Sequence, residues 1–308
     1  MSILISDKLQ EEAIDLLQKN GFNIVKKYSI TTEELKHEIE NYDAIIIRSR
    51  TRLTAEILEN AKKLKVIGRA GVGLDNIDLK KAEESGIKVL NTPEAPSISV
   101  AELTIGLLLS LVRHISKADQ TMHCGEWCKN DYMGYALKGK KIGLIGFGNI
   151  GQAVAKICDA MGMNIGIYDV DGTVKEKAKS FGYRIYPSVD ELIKDSQIIS
   201  LHIPSTVQTE NTIDERRIGL MNKKSILINT ARGNLVDEAA LIKALKNNKI
   251  GGAALDVYRE EPLKNMDLCS CEQNLVLTPH IGSQTEETQT QASIMIAEKI
   301  ADYLKKLL

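Results

Sequence analysis

The chain has 308 residues, with 40 Lys and Arg against 41 Asp and Glu, a formal net charge of -1, and 43% hydrophobic but only 4% aromatic residues. At roughly 100–200 residues per domain, this length predicts about two domains, each able to bury its own core without disulfide staples. Balanced charge leaves no basic surplus for a nucleic-acid backbone and no acidic tail, so no nucleic-acid partner is expected.

The five cysteines (Cys124, Cys128, Cys158, Cys269 and Cys271) lack C-x-x-C spacing, which predicts free thiols in a reducing compartment and no metal site. The start, Met1-Ser2-Ile3-Leu4-Ile5, does not have the form of a signal peptide. The longest apolar stretch, 103–112, falls short of the roughly 20 residues that cross a bilayer. A cytoplasmic protein with no membrane contact is the expectation.

Short β-rich runs at 3–5, 22–25, 44–47, 65–67 and 87–90 alternate with helical patterns, the sequence form of a parallel sheet with crossover helices. A helix over 11–19 closes at Gly21, and Thr31 with Glu34 has capping-box spacing. From 97 to 115 the chain predicts one long helix, apolar on all sides, that links two domains or lines a subunit interface. The alternation then restarts with six strands at 142–145, 165–168, 198–201, 226–228, 253–257 and 275–277, which suit a doubly wound nucleotide domain. A closing helix within 284–308 presents Ile294, Ile296, Ile300 and Leu304, and is expected to return to the first unit. The fold expected is α/β. A Rossmann-type doubly wound NAD domain (99–283) is inserted into a smaller flavodoxin-like α/β substrate domain (1–98 and 284–308).

The predicted strand at 142–145 runs into Gly146-Phe147-Gly148-Asn149-Ile150-Gly151 and then a helix, a G-x-G-x-x-G turn in its proper context. Gly146 permits the tight turn, Gly148 lets backbone approach a pyrophosphate, Gly151 allows close packing, and the helix N-terminus favours the anion. Asp169 ends the next strand 169 − 151 = 18 residues after the last glycine, near the spacing of a ribose ligand, which favours NAD over NADP. The bland alternative is a turn residue.

Of the five histidines, His37, His114 and His123 read as structural or solvated, while His202 and His280 follow apolar strands where open α/β sheets bind ligands. The segments 229–233, with Arg232, and 255–262, with several acids, fall at strand ends before His280. An Arg, an acid and a His in one crevice suit reduction of a 2-keto acid: Arg232 grips the carboxylate and polarises the ketone, the acid orients His280, and His280 donates the proton. On the substrate side, Arg48, Arg50 and Arg52 alternate beyond one strand and Arg69 ends another. In an extended chain the three would share one side, able to hold a phosphate, with Gly71-Val72-Gly73 offering N–H groups to a carboxylate. Surface ion pairs are the alternative for each arginine.

Five segments, 68–78, the Gly146 loop, 229–233, 256–262 and 278–283, together resemble the D-isomer-specific 2-hydroxyacid dehydrogenases over the whole chain. The resemblance implies that Arg232 binds substrate, Glu261 partners His280, and His280 is the acid/base. It further implies cofactor contacts at Thr230, Ala231, Asp256, Gly282 and Ser283, with Pro204 and Thr206 near the adenosine, and a homodimer built on the 97–115 helix.

The expected activity is NAD-dependent interconversion of 3-phospho-D-glycerate and 3-phosphohydroxypyruvate, opening phosphorylated L-serine synthesis, in a cleft that closes over both ligands. Its small-molecule partner would be a phosphorylated 2-hydroxy or 2-keto acid. A glyoxylate or hydroxypyruvate reductase, or another D-2-hydroxyacid dehydrogenase, is the alternative within the class. An NAD-sensing, corepressor-like binding protein is the alternative outside it. With 308 − 280 = 28 residues after His280, no regulatory domain and no serine feedback through one are expected.

Overall fold

The computed structural model describes residues 1–95, 97–271 and 273–307. The chain forms two compact units, Met1–Pro96 with Ser283–Leu308 (unit 1) and Ser97–Gly282 (unit 2). The breaks fall at 96/97 and 282/283, beside 98/99 and 283/284 from the sequence, because the helix Ser97–Arg113 belongs to unit 2 from its first residue.

Unit 1 is a five-stranded parallel sheet of β1 (Ser2–Ile5), β2 (Asn23–Lys26), β3 (Ala44–Ile47), β4 (Val66–Arg69) and β5 (Lys88–Asn91). Its order, β2-β1-β3-β4-β5, is the flavodoxin-like doubly wound order. The period of two along a strand divides the core. Ile3, Ile5, Ala44, Ile46 and Val66 face one cluster, while Leu4, Ile45, Ile47 and Ile67 face the other. Burial on both faces explains why β1 and β3 read as unbroken apolar runs.

The first cluster is completed by the helix Glu286–Lys305, which lays Ala292, Ile296, Ala297, Ile300, Ala301 and Leu304 on the sheet. Gly68 admits it, since a Cβ there would strike the Ile300 side chain. A buried isoleucine in such a seat contributes roughly 2–5 kcal/mol relative to alanine. Ile294, expected on this face, is only partly buried. The Thr31 capping box forms, with both reciprocal hydrogen bonds in place.

Unit 2 holds β6 (Lys141–Ile145), β7 (Asn164–Tyr168), β8 (Arg184–Ile185), β9 (Ile198–Leu201), β10 (Ile226–Asn229), β11 (Gly252–Leu255) and β12 (Leu275–Leu277). All pair in parallel in the order β12-β11-β10-β9-β6-β7-β8, so the winding reverses between β6 and β9. The sheet has seven strands where the sequence predicts six. β8 is two residues long, too short to leave an alternation signal. The strand expected over 253–257 ends at Leu255, where the chain turns. The long helix expected over 97–115 runs over Ser97–Arg113, stopped at His114 with φ of 55°, and a separate helix, Ile115–His123, follows. Among the described residues no single helix is long and apolar enough to cross a membrane.

Candidate active site

At the carboxyl end of β6 the chain enters Gly146 with φ of +99°, and a Cβ there would run into the His202 carbonyl. Gly151 lies in the first turn of the helix Asn149–Ala160, where a Cβ would strike the Gly146 carbonyl. Both positions therefore require glycine for space, and Gly146 also for conformation. Gly148, the N-cap, is exposed with nothing within 4 Å of where its Cβ would stand. Ahead of it lie the N–H groups of Asn149, Ile150 and Gly151, which have no acceptor within the helix. An open, amide-lined space at a helix N-terminus fits the pyrophosphate of a dinucleotide.

Asp169, just beyond β7, is half-buried and shapes this loop itself. Its Oδ2 accepts from the Phe147 N–H at 2.7 Å and its Oδ1 from the Asp171 N–H at 2.9 Å. The turn role and the ribose role are compatible, because each carboxylate oxygen has lone-pair capacity to spare. On the loop after β9, the Thr209 hydroxyl donates to the Pro204 carbonyl and accepts from the Thr206 N–H, which holds these two residues in a compact exposed turn.

The two histidines left open by the sequence sit in opposite environments. His202 Nε2 lies 2.9 Å from the Ser200 hydroxyl, and burial pushes its pKa down to about 4, leaving a neutral ring. His280 is 45% exposed by its side chain, and its Nδ1 lies 2.7 Å from Glu261 Oε2. Burial raises the Glu261 carboxyl, but the His280 hydrogen bond and charge, the Tyr258 N–H and the Arg232 charge outweigh it. Glu261 therefore stays ionised below the ordinary carboxylate range and takes the Nδ1 hydrogen. That fixes Nε2 as the nitrogen His280 can turn to a ligand.

His280 has φ of 54°, a left-handed conformation that costs a non-glycine residue on the order of 1–2 kcal/mol. Asp256, 1% exposed, supplies the restraint. Its Oδ1 accepts from the Thr278 hydroxyl at 2.7 Å and the Ile281 N–H at 2.8 Å, and its Oδ2 from the Gly282 N–H at 2.9 Å. These bonds bracket His280 from both sides. Asp256, expected among the cofactor contacts, has both oxygens engaged with its own chain.

Arg232 follows β10 on a turn made by Asn229, whose buried side chain donates to the Arg232 carbonyl at 2.8 Å and accepts from the Ala231 N–H at 3.1 Å. Gly233 follows, packed so closely on the Tyr258 backbone that no Cβ fits. Thr230 shares its hydroxyl with Thr104 at 2.9 Å; Thr104 donates to the Val100 carbonyl, so Thr230 is the donor of the pair. Tyr258 donates its hydroxyl to the Thr278 carbonyl at 2.8 Å and its N–H to Glu261, joining the His280 and Glu261 segments. Asn229, Tyr258 and Thr104 were not singled out from sequence. Asn229 and Tyr258 were visible only as neighbours of Arg232 and Glu261, and Thr104 left no signal within its apolar helix. Gly282 is buried against Asp256 and Val100, and Ser283 opens the second stretch of unit 1, its carbonyl accepting from the Gln289 side chain.

The arginines of unit 1 do not share a strand face. β3 stops at Ile47, and residues 48–52 form a loop around Asp7. Arg50 is committed to this loop: Nε donates to Asp7 Oδ1 at 2.8 Å and Nη2 to the Ser6 carbonyl. Arg52 is exposed. The Arg48 guanidinium is half-buried, burial lowers its pKa, and among the described residues it makes no hydrogen bond or ion pair. Arg69 ends β4 with its guanidinium laid against Gly71, where φ is +140° and a Cβ would collide with it. The loop Gly71-Val72-Gly73 is anchored by Gly71 N–H to the Thr92 hydroxyl and by the Asn91 side chain to the Val72 carbonyl.

Known proteins carry the same architecture. The family profile described as D-isomer specific 2-hydroxyacid dehydrogenase, NAD binding domain, matches residues 105–282. A D-3-phosphoglycerate dehydrogenase of Methanocaldococcus jannaschii is 46% identical over 305 residues; the match takes in 99% of this chain and 58% of that one. A hydroxypyruvate reductase of Thermotoga maritima is 44% identical, with 96% of each chain covered. The solved structure of a Thermus thermophilus protein superimposes with a TM-score of 0.90 at 34% identity, over 99% of this chain and 97% of that one. The glycine turn, the paired His280 and Glu261, and these similarities lead to one conclusion: the chain belongs to the D-isomer-specific 2-hydroxyacid dehydrogenase family and contains its NAD-binding domain.

Proposed function

We propose that the chain is an NAD-dependent D-2-hydroxyacid dehydrogenase that interconverts 3-phospho-D-glycerate and 3-phosphohydroxypyruvate. The observation that carries the chemistry is the 2.7 Å contact of His280 Nδ1 with an ionised Glu261, within reach of the Arg232 charge. Arg232 holds the substrate carboxylate and polarises the neighbouring oxygen through a forked, charge-assisted contact. His280 Nε2 removes the hydroxyl proton in oxidation and returns it in reduction, while Glu261 stabilises the imidazolium. The N–H groups behind Gly148 hold the dinucleotide, and Asp169 receives its ribose hydroxyls and opposes a 2′-phosphate. The chemistry that a bound NAD would supply is hydride exchange with the substrate carbon.

The phosphorylated substrate is supported by Arg48, a half-buried guanidinium that feels the Asp7 charge and makes no side-chain hydrogen bond or ion pair among the described residues, and by the name of the Methanocaldococcus relative. A homodimer belongs to the proposal, supported by Ile115, Met122, Trp127 and Met133, exposed apolar residues within one stretch of unit 2.

A second reading, reduction of hydroxypyruvate itself, is favoured by the Thermotoga relative, which this chain matches over nearly its whole length. An NADH-oxidation panel with phosphohydroxypyruvate, hydroxypyruvate, glyoxylate, pyruvate and 2-oxoglutarate separates the two. Phosphohydroxypyruvate should lead in kcat/KM by about tenfold or more, the value of one good charge-assisted contact. A lead for hydroxypyruvate would establish the second reading, and NADH binding without any turnover would refute both.

A further inference from the structure

Glu261 sits on a turn of unit 2 that is exposed from Arg259 to Pro262, so burial alone does not hold its carboxylate on His280. One buried side chain grips the chain on both sides of it. Glu238, 8% exposed at the start of the helix Glu238–Lys246, accepts from the Arg259 N–H through Oε1 at 2.9 Å and from the Asn265 side chain through Oε2 at 2.9 Å. Asn265 is fixed in turn as the cap of the helix Met266–Cys269, its Oδ1 taking the Leu268 N–H at 3.4 Å. The Arg259 side chain adds a second hold on the near end: Nε donates to the Val236 carbonyl at 3.1 Å and Nη2 to Asn211 Oδ1.

This arrangement repeats, on the other member of the pair, the one that restrains His280. There Asp256 directs its two oxygens to groups before and after the histidine. Here Glu238 directs its two to groups before and after Glu261. A buried carboxylate committed to two donors is a stiff support, because letting go of either leaves a polar group unpaired away from water. Among the described residues Glu238 makes no hydrogen bond to Glu261 or His280, so its influence on them passes through the turn. We propose that Glu238, with Arg259 as its partner, is a positioning residue for Glu261: it pins both ends of the turn and so keeps the Glu261 carboxylate within hydrogen-bond distance of His280 Nδ1. This role rests on the proton-transfer reading of the pair above and holds for whichever 2-keto acid is preferred.

The test measures kcat and KM with NADH and phosphohydroxypyruvate, or hydroxypyruvate where that is the faster, for the wild type, Glu261→Ala, Glu238→Ala and Arg259→Ala, and for each of the last two combined with Glu261→Ala. Glu238→Ala removes both acceptors and should lower kcat roughly tenfold with little change in KM for the keto acid, as expected of a support that matters during proton transfer. Arg259→Ala keeps the backbone N–H and loses only the side-chain hold. It should cost about threefold in kcat, and it serves if the melting temperature shows that Glu238→Ala folds poorly. Once Glu261 is truncated, either loss should shrink to within about twofold, since a residue that acts through Glu261 then has nothing to position. Losses of the same size with and without the Glu261 side chain, losses that fall on KM, or unchanged kcat in both variants while Glu261→Ala is slowed would overturn the positioning role and leave the proton-transfer reading standing. Wild-type kcat in Glu261→Ala, or no turnover by the wild type, would overturn both.

Discussion

The loops at the carboxyl edges of the two sheets are shaped by opposite means. In unit 2 the loop after β6 is shaped by missing side chains: Gly146 and Gly151 leave room for neighbouring backbone, and Gly148 faces open space. In unit 1 the loop after β3 is shaped by side chains that are present, with Asp7 and Asn76 gripping the backbone of Arg48 and Thr51. Helix amides need bare backbone to reach an anion, whereas a guanidinium reaches on its own stem and needs only to be aimed. A backbone site can therefore be written within six consecutive residues. A side-chain site draws its supports from wherever the fold delivers them.

The largest expected effect tests whether unit 2 carries the chemistry. His280→Ala should cost about 10²–10⁴ in kcat while NADH still binds, as followed by fluorescence titration. Turnover within a few-fold of wild type would remove His280 from the proposed mechanism.

A smaller effect separates the two uses of glycine within the backbone-built edge. Gly148→Ala meets open space and an ordinary φ, so its melting temperature should move little while NADH affinity falls roughly tenfold or more, since the new methyl occupies the ligand's place. Gly151→Ala meets the Gly146 carbonyl. Such overpacking costs about 1–3 kcal/mol, so calorimetry should show a lowered melting temperature along with weaker NADH binding. Equal melting losses in both variants would show that Gly148 too is structural.

The effect that is smallest at neutral pH concerns His202, whose ring burial keeps neutral. Its folded pKa of about 4 lies below the ordinary histidine value, so between the two the unfolded chain binds the extra proton. Its contribution is complete above about pH 6.5 and is lost as pH falls toward 4, on the order of 2–3 kcal/mol over that window. Denaturant unfolding across this range should show a shallower pH slope for His202→Gln than for the wild type. Parallel slopes would mean that His202 titrates normally.

How much could be read beforehand tracks the same division. The glycine turn and Asp169 lie close in sequence and carry a spacing, so the residues that shape the loop after β6 stand out. The arginine alternation misled, because β3 ends at Ile47 and Asp7 bends the next residues into a loop. Its carboxylate lies 43 residues from Arg50, and no local pattern announces that pairing. The helix end before His114 was placed two residues late because no glycine or proline marks it, and β8 escaped notice because two residues carry no period.

The histidines draw the boundary between sequence and structure most sharply. The sequence alone determined that His202 and His280 both follow apolar strands of a parallel sheet, because strand alternation and burial are properties of short runs. Only the tertiary structure separated them. One ring is half-buried beside Ser200, while the other is turned by Asp256 into a left-handed backbone and set 2.7 Å from Glu261. A proton-transfer group is defined by its burial and by the charges around it, and both come from residues that meet only when the chain is folded.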